Sequence, residues 1–431
     1  MARLVRGAAI SKFQVTEDGV PFVRPLDLVV STPLTKTAIS VAPSRGSRKR
    51  LLPAGTVLLC CYGNLGRTGI LGVPAFTSQE IVGLIPSDRV DAEYLLHWCR
   101  NLAPWLSLNA RGSTSLRGVS KQRLGSVRVA FPPLPEQREI GSRLATAQAR
   151  LASVKTALDA AGSLLKDLRR SILSSAHRGR LTAAWRQGHR DAEPASVLLR
   201  EIRSERARRW KSEIPTKPHF EPPSADSPLN LPRGWCWASV GDLLLSIGTG
   251  ARAQQNKEGI GVPVTRIESV QRGKIVRSRL GYVADSTGLE RYHHRAGDIV
   301  LSHINNREHI GKVARIVESD LPLLAGRNLL CMRPVLDATS EWLFYMLASP
   351  QFRSGFVRRH RRGVSQINQS QLIGMVLPLP PLDEMLVAVE RVRDLMRSAD
   401  RLEEAAMRTE EMVERLDRSV LVSTFGSDFV A

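Results

Sequence analysis

The sequence contains few cysteines, and their spacing excludes two common kinds of small scaffold. Among 431 residues there are five: Cys60, Cys61, Cys99, Cys236 and Cys331. Their number is odd and no pair has Cys-x-x-Cys spacing, which argues against a disulfide framework and against a zinc cluster. Free thiols fit a reducing compartment, so we expect a cytoplasmic protein.

Long apolar runs and catalytic motifs are also missing. No run approaches the roughly 20 apolar residues that span a bilayer, so we expect no membrane partner. The segment from Met1 to Phe13 lacks the apolar stretch of a secretory signal. The phosphate-binding pattern G-x-x-x-x-G-K-[ST] is absent, and so is an Asn-Pro-Pro-aromatic tetrad. The sequence therefore predicts no catalytic residue and no cofactor.

Two weaker patterns do not change that view. The series Gly63-x-x-Gly66-x-x-Gly69 is not the dinucleotide fingerprint, and we interpret it as turn chemistry. A few histidines could suggest a metal site, but no cysteine or carboxylate stands beside them at ligand spacing, so we expect none: His293, His294, His303 and His309.

Charge is the first positive signal. The chain has 62 basic and 41 acidic residues, a formal net charge of +21, and only 11 of the basic residues are lysine. Genome composition alone could favour arginine over lysine, but it does not explain the net charge. By segment the net charge is +10 over 1–135, +7 over 136–229, +9 over 230–382 and −5 over 383–431. Such a chain should bind a polyanion, nucleic acid by default, through regions other than its acidic end.

The sequence repeats itself in two long halves. Gly19-Val20-Pro21 returns as Gly261-Val262-Pro263, at a shift of 242 residues. Pro132-Pro133-Leu134 returns as Pro380-Pro381-Leu382, at a shift of 248. Because the register holds over many separate matches, each half carries one copy of the same unit.

Each copy changes its periodicity part-way along. Residues 1–131 and 230–379 have short β-rich runs bounded by Gly and Pro, with helical stretches near 91–103 and 339–348, which predicts mixed α/β domains. Helices of about 40 residues, or roughly 60 Å, are predicted over 136–178 and 384–425. We expect these helices to pair with each other; the alternative is that each packs on its own domain. The first helix carries an unbroken heptad seam: Leu144, Ala147, Leu151, Val154, Leu158, Ala161, Leu165, Leu168 and Ile172.

Several segments resemble a known family, the specificity subunits of type I restriction–modification systems. They are PPLPEQREI (132–140), LKDLRRSILSSAHRGRLTAAWR (165–186), EPASVLLREIRSERARRWK (193–211) and LPRGWCWASVGDLL (231–244). The resemblance implies α/β (α+β) target-recognition domains, duplicated about a pseudo-two-fold axis and joined by two long helices in an antiparallel coiled coil. It implies target-recognition domains at 1–131 and 230–379, conserved helices at 132–180 and 380–431, and a helical and Pro-rich linker at 181–229.

The resemblance also implies function and partners. Each recognition domain would read half of a bipartite target in double-stranded DNA, and the helices would fix the spacing. Methylation subunits would dock on the helices, and a motor–nuclease subunit can join the complex. One departure stands out: the first half has no counterpart of residues 231–242, which leaves its edge strand in doubt.

The DNA contacts are expected in basic, glycine-flanked loops. Arginine and hydroxyl groups bind phosphate, Arg also reads guanine, and Gln or Asn reads adenine. Each loop could instead be an ordinary solvated charged loop. The candidate residues are Arg45, Arg48, Lys49, Arg50, Arg67, Arg111, Arg117, Lys312, Arg358, Arg359, Arg361, Arg362, Gln366 and Asn368.

These observations favour a non-catalytic, sequence-specific DNA-recognition subunit. Two alternatives stay open: a nuclease or DNA-modifying enzyme with an unrecognised site, and a coiled-coil scaffold with incidental basic charge.

Overall fold

The computed structural model of the chain describes residues 2–28, 33–43, 50–112, 117–129, 131–213, 230–305, 310–357 and 365–426. They fall into two compact units. Unit 1 comprises Met1–Gly162 and Glu404–Ala431, and unit 2 comprises Ser163–Glu403.

The first half of the chain contributes eight strands and four helices to the described residues. They are β1 (Ala2–Arg6), β2 (Gln14–Thr16), β3 (Val20–Val23), β4 (Ser40–Ala42), β5 (Val57–Cys60), β6 (Thr68–Ile70), β7 (Phe76–Thr77), β8 (Ile81–Pro86), α1 (Ala92–Asn101), α2 (Ala103–Asn109), α3 (Lys121–Gly125) and α4 (Leu134–His177).

The rest of the chain continues with two connecting helices and then repeats the pattern. The elements are α5 (Ala183–Gly188), α6 (Ala195–Glu213), β9 (Cys236–Ser239), β10 (Leu244–Thr249), β11 (Val262–Val264), β12 (Val270–Gln271), β13 (Lys274–Ile275), β14 (Gly281–Val283), β15 (Ile299–Ser302), β16 (Ile304–Asn305), β17 (Val313–Arg315), β18 (Leu329–Pro334), α7 (Asp337–Ala348), α8 (Pro350–Val357), β19 (Ser365–Gln366), α9 (Gln369–Ile373), β20 (Val376–Leu379) and α10 (Leu382–Phe425).

The main sheet of unit 1 is buried on both faces. Its antiparallel order is β1-β8-β5-β6, and all four residues of β5 are fully buried. Because side chains alternate along a strand, Val57 and Leu59 pack in one core with α1 and α2, while Leu58 and Cys60 pack in a second core on the other face. The predicted burial of Cys60 and Cys61 is confirmed.

Unit 2 repeats this sheet. Its order is β10-β18-β15-β17, with Ile299 and Leu301 in the core that holds α7, and Val300 in the core on the opposite face. The predicted repeat is confirmed in the elements: β5 and β15 differ by 242 residues, while β8 and β18, α3 and α9, and α4 and α10 differ by 248. The predicted helices near 91–103, 339–348 and 193–211 are confirmed as α1, α7 and α6.

One strand pair occurs in the second copy alone. Strand β9 pairs with β20, and Trp235 just before β9 meets Trp342 edge-on at 5.7 Å. The counterparts of β20 by the repeat register are residues 128–131, and the described ones, 128, 129 and 131, form no strand. This difference agrees with the departure seen in the sequence, where residues 231–242 have no counterpart.

The two long helices begin and end where the repeat predicts. Each has 44 residues and starts at the leucine after a proline pair, Leu134 or Leu382. The carbonyl of the second proline accepts the first helical bond, from Gln137 at 3.1 Å and from Met385 at 2.8 Å. Proline suits this position because the first turn of a helix needs no N–H there.

Antiparallel pairing of the helices is visible inside each unit. In unit 1, the side-chain amide of Gln148 in α4 donates to Asp417 of α10 at 2.6 Å. In unit 2, Arg169 of α4 donates to Asp400 of α10 at 2.7 Å, so a later residue of α4 meets an earlier residue of α10. The start of each helix also packs on its own domain, since Met385 and Val392 lie in the core of unit 2. Both packing modes foreseen from the sequence therefore occur.

The apolar seam is only half buried, which corrects the expectation of a continuous interface. Every seventh residue, such as Leu144, Leu165, Val392 and Val413, is buried. The intervening heptad positions are not: Val154, Leu168, Leu402 and Leu416 are 39%, 42%, 57% and 51% exposed. A pair of helices with domains on one side covers only the position nearest the partner, so an apolar stripe stays open on each helix.

Candidate nucleic-acid interface

The loops that follow β5 and β15 present one cation at the same place in each unit. The N–H of Cys60 donates to the carbonyl of Arg67 at 2.8 Å, and the N–H of Ser302 donates to the carbonyl of Lys312 at 2.8 Å. The residue before each cation is a glycine with a positive φ, 82° at Gly66 and 75° at Gly311, which a residue with a side chain rarely adopts. Turn chemistry at the glycines is thus confirmed, and the predicted equivalence of the two loops is confirmed.

A second segment borders each loop. Val119 donates its N–H to the residue after β5 at 2.9 Å, and Ile367 donates to the residue after β15 at 2.7 Å. The first of these segments contains Arg117, whose carbonyl accepts the N–H of Gly63 at 3.0 Å. Arg111 is exposed and its backbone pairs with Gly118. The structure therefore brings the cations Arg67, Arg111 and Arg117 to one side of the sheet of unit 1.

Short helices fix the ends of these segments. Ser120 caps α3 by accepting the N–H of Arg123 at 3.2 Å, and Asn368, 248 residues later, caps α9 by accepting the N–H of Ser370 at 3.0 Å. Because the cap uses the amide oxygen of Asn368, bidentate contact with adenine would compete with the cap. The backbone of Gln366 pairs with Ile304 in unit 2.

Half of the residues predicted to bind DNA lie outside the described part of the chain. Among the others, Arg50 donates to the carbonyl of Gly7 at 3.4 Å and Arg67 donates to that of Pro25 at 3.3 Å, and both guanidinium groups stay exposed. Those outside the described residues are Arg45, Arg48, Lys49, Arg358, Arg359, Arg361 and Arg362.

The structure adds a basic groove that sequence reasoning missed. Arg6, Lys12, Arg50 and Lys121 line a cavity of about 560 Å³ along β1, and none of its lining residues is acidic. The guanidinium of Arg6 lies 4.6 Å above the ring of Tyr62. These cations are scattered over more than a hundred positions, so no local pattern signals them. A groove lined by cations alone attracts a phosphate backbone.

The matching place in unit 2 has a different chemistry. A cavity of about 310 Å³ lies along β10, and Tyr292, His293 and His294 contribute to its lining. Its guanidinium from Arg333 is held by Asp298 at 2.8 and 2.9 Å. Burial alone would raise the pKa of Asp298, but hydrogen bonds from Arg333 and His294 outweigh it and lower the pKa to about 2. The charge of Arg333 is therefore balanced, and the two grooves should suit different ligand surfaces.

Metal and membrane features are quickly reported. Within the described ranges, no three histidine, cysteine or carboxylate side chains come together as a possible metal site. Within the same ranges, no helix is both long and apolar enough to cross a bilayer.

Comparison with known proteins gives a consistent result. Residues 1–160 match the family model of the type I restriction modification DNA specificity domain. The chain is 41% identical over 159 residues to a type I restriction enzyme MjaX specificity subunit, itself described as putative, from Methanocaldococcus jannaschii, covering 36% of this chain and 37% of that relative. It is 23% identical over 358 residues to the EcoKI specificity subunit of Escherichia coli K12, covering 81% of this chain and 68% of the relative. The chain belongs to the family of type I restriction–modification specificity subunits.

A solved structure supports the fold of this specificity subunit. A chain from a study of complex assembly and conformational transition in a type I restriction–modification system superposes with a TM-score of 0.64 at 18% identity. The superposition covers 99% of this chain and 98% of that one. Membership in the family assigns DNA recognition, and not catalysis, to this chain. The alternatives of an enzyme with an unrecognised site and of a coiled-coil scaffold are not favoured.

Proposed function

We propose that this specificity subunit recognises a bipartite sequence in double-stranded DNA for a type I restriction–modification complex in the cytoplasm. Residues 1–131 form one target-recognition domain and 230–379 form the other, each reading one half of the target. Residues 132–180 and 380–431 form the conserved helices, and 181–229 link the two copies. The chain needs no cofactor and carries out no chemistry itself.

The repeated loop is the observation that carries the proposal. Arg67 and Lys312 follow glycines of positive φ and share the same 2.8 Å backbone bond to their sheets. One chain that presents the same cationic loop on two separate sheets is suited to two similar ligand surfaces. Two half-sites of one duplex provide them.

The two domains should read different half-sites because their grooves differ. In the first domain, Arg6, Lys12, Arg50 and Lys121 surround β1 without an acid. We assign phosphate contacts to these residues and to Arg67 and Lys312, because cations position a protein on the backbone. The remaining predicted residues are assigned to base or phosphate contacts: Arg45, Arg48, Lys49, Arg111, Arg117, Arg358, Arg359, Arg361, Arg362, Gln366 and Asn368.

The open apolar stripes offer the docking surface for methylation subunits. Val154 and Leu402 occupy the same repeat position, as do Leu168 and Leu416, and all four are between 39% and 57% exposed. Because the stripe occurs once on each helix, two methylation subunits can dock in equivalent ways. A motor–nuclease subunit joins the complex without using a site proposed for DNA.

Two measurements test the proposal. Modified-base sequencing of DNA from cells that carry the complete system should show methylated adenines in one motif with two fixed half-sites and a fixed gap. The purified chain alone should bind that motif selectively and should neither cleave nor methylate it. Cleavage or methyl transfer by the chain alone would favour the enzyme alternative, and binding without sequence preference would contradict the proposal.

A further inference from the structure

A small hairpin in unit 2 reaches the long helices with two cations. The hairpin joins β12 to β13 through Arg272 and Gly273. Arg272 lies 2.8 Å from Glu403 of α10, and Lys274 lies 2.9 Å from Asp400 of the same helix. Each cation thus has its own carboxylate, spaced three residues apart on one face of α10.

Arg169 of α4 joins the two carboxylates into one network. Its guanidinium lies 2.7 Å from Asp400 and 2.9 Å from Glu403. Burial would raise the pKa of Asp400, but the bonds from Lys274 and Arg169 hold that pKa below its ordinary value. Three cations and two carboxylates are therefore shared among α4, α10 and the hairpin. Networks of this kind hold geometry better than isolated surface pairs.

The hairpin is firmly attached to the main sheet of its domain. Gly273 forms a bridge with Ala314 in β17, and its Cα faces the ring of Phe344, leaving no room for a Cβ. Val270 is fully buried in the core that also holds Val300. An anchor on the hairpin therefore restrains the whole sheet of unit 2.

The first half of the chain has no such network in its sequence. At a shift of 248, Asp400 and Glu403 correspond to Ala152 and Lys155. At a shift of 242, the hairpin residues 270–275 (VQRGKI) correspond to 28–33 (LVVSTP), which contain no charged residue. The network therefore belongs to the second copy of the repeat.

We propose that Arg272 and Lys274 are positioning residues that clamp the second recognition domain to the long helices and so restrict the gap between half-sites. The inference rests on the proposed function. The clamp acts on the position of the second domain and leaves its base contacts unchanged. Since 75% of the Lys274 side chain and 68% of the Arg272 side chain are exposed, salt should weaken the clamp.

The test compares gap selectivity in complexes assembled from the full chain and its methylation subunits. The disrupting variant is Lys274→Glu, which faces Asp400 with a like charge. The restoring variant combines Lys274→Glu with Asp400→Lys, which re-forms the pair with its charges reversed. The matched control is Arg277→Glu, an exposed arginine of the same domain that bonds to the carbonyl of Ser319. Modified-base sequencing reports every gap length that each complex methylates.

We expect the wild type and Arg277→Glu to methylate one gap length. Lys274→Glu should methylate neighbouring gap lengths to within about tenfold of the original one, with both half-sites unchanged, and the restoring variant should return to one gap length. Loss of methylation that the restoring variant reverses would also support the clamp. An unchanged single gap in Lys274→Glu, or any change that the restoring variant fails to reverse, would overturn it. Absence of a bipartite motif in the wild type would instead refute the proposed function.

Discussion

Arg67 and Lys312 occupy the same place in the two domains, each with its carbonyl oxygen 2.8 Å from the N–H of the last residue of a central strand. The sequence distance between them is 245, between the 242 that relates the strands before them and the 248 that relates the elements after them. The second loop therefore holds three additional residues and still delivers its cation to the matching position. A position kept in this way is the first place to look for DNA contacts.

Removing either cation should weaken DNA binding. Arg67→Ala and Lys312→Ala should each lower affinity for the target and make the plot of log affinity against log salt shallower by about 0.9, the value for one phosphate contact. Fluorescence anisotropy with the purified chain over a salt series measures both quantities. Arg170→Ala, at an exposed position on α4, serves as the control. An unchanged slope in both variants would remove these loops from the interface.

Two glutamates at equivalent positions should differ sharply in their importance for stability. Glu384 is buried and accepts hydrogen bonds from Thr182 at 2.5 Å, from the indole of Trp235 at 2.9 Å and from Arg186. Its counterpart Glu136, 248 residues earlier, is exposed. Glu384→Ala leaves a guanidinium and an indole N–H without an acceptor, so it should lower the free energy of unfolding by about 3–5 kcal/mol.

Glu136→Ala is the matched control for that variant. It should change the free energy of unfolding by less than about 0.5 kcal/mol, as for most surface substitutions. Denaturant unfolding followed by tryptophan fluorescence gives both values. Equal losses in the two variants would show that the buried network of Glu384 does not stabilise its unit.

Acid should destabilise unit 1 through His97. Burial, with a smaller effect from Arg100, lowers the pKa of this imidazole to about 4 in the folded chain, against 6.5 as its ordinary value. Between these values the unfolded chain binds more protons, so stability is present above pH 6.5 and is lost as the pH falls toward 4. From pH 7 to pH 5, His97 alone should lower the free energy of unfolding by about 2 kcal/mol. Denaturant titrations at both pH values should show a smaller loss in His97→Leu, and an equal loss would contradict the assignment.

The recognition domains should be exchangeable. Replacing residues 230–379 with the matching domain of a related specificity subunit should change one half of the methylated motif and leave the other half and the gap as they were. The physical reason is that each domain has its own sheet, its own core and its own groove. Modified-base sequencing of cells with the hybrid subunit shows the motif directly. A change in both halves would mean that neither domain reads a half-site alone.

Local patterns predicted the long-range plan of the chain well. The proline pairs at 132–133 and 380–381 place the starts of α4 and α10 within two residues, because proline is excluded from the helix interior. The repeat register also led to the matching loops at Arg67 and Lys312, since the glycines before them mark tight turns.

Contacts between distant side chains were not predictable in the same way. The groove of Arg6, Lys12, Arg50 and Lys121 is assembled by the pairing of strands, and no segment of the sequence carries more than two of these cations. The half-open seam was missed because a heptad pattern fixes which residues are apolar but not how many of them a partner covers. The clamp at Lys274 likewise depends on tertiary contacts with α10.

Matched insertions in the two helices test the central claim, that the helices set the gap between half-sites. Seven residues added near Ala160 and seven near Arg408 keep the heptad in register and lengthen each helix by about 10 Å. A four-residue insertion near Ala160 alone serves as the control, because it breaks the register and should reduce stability or docking. We predict that the complex with matched insertions methylates the same two half-sites with a gap about three base pairs longer, at 3.4 Å per base pair. Methylation of the original motif at its original gap by a folded, DNA-binding variant would contradict the account.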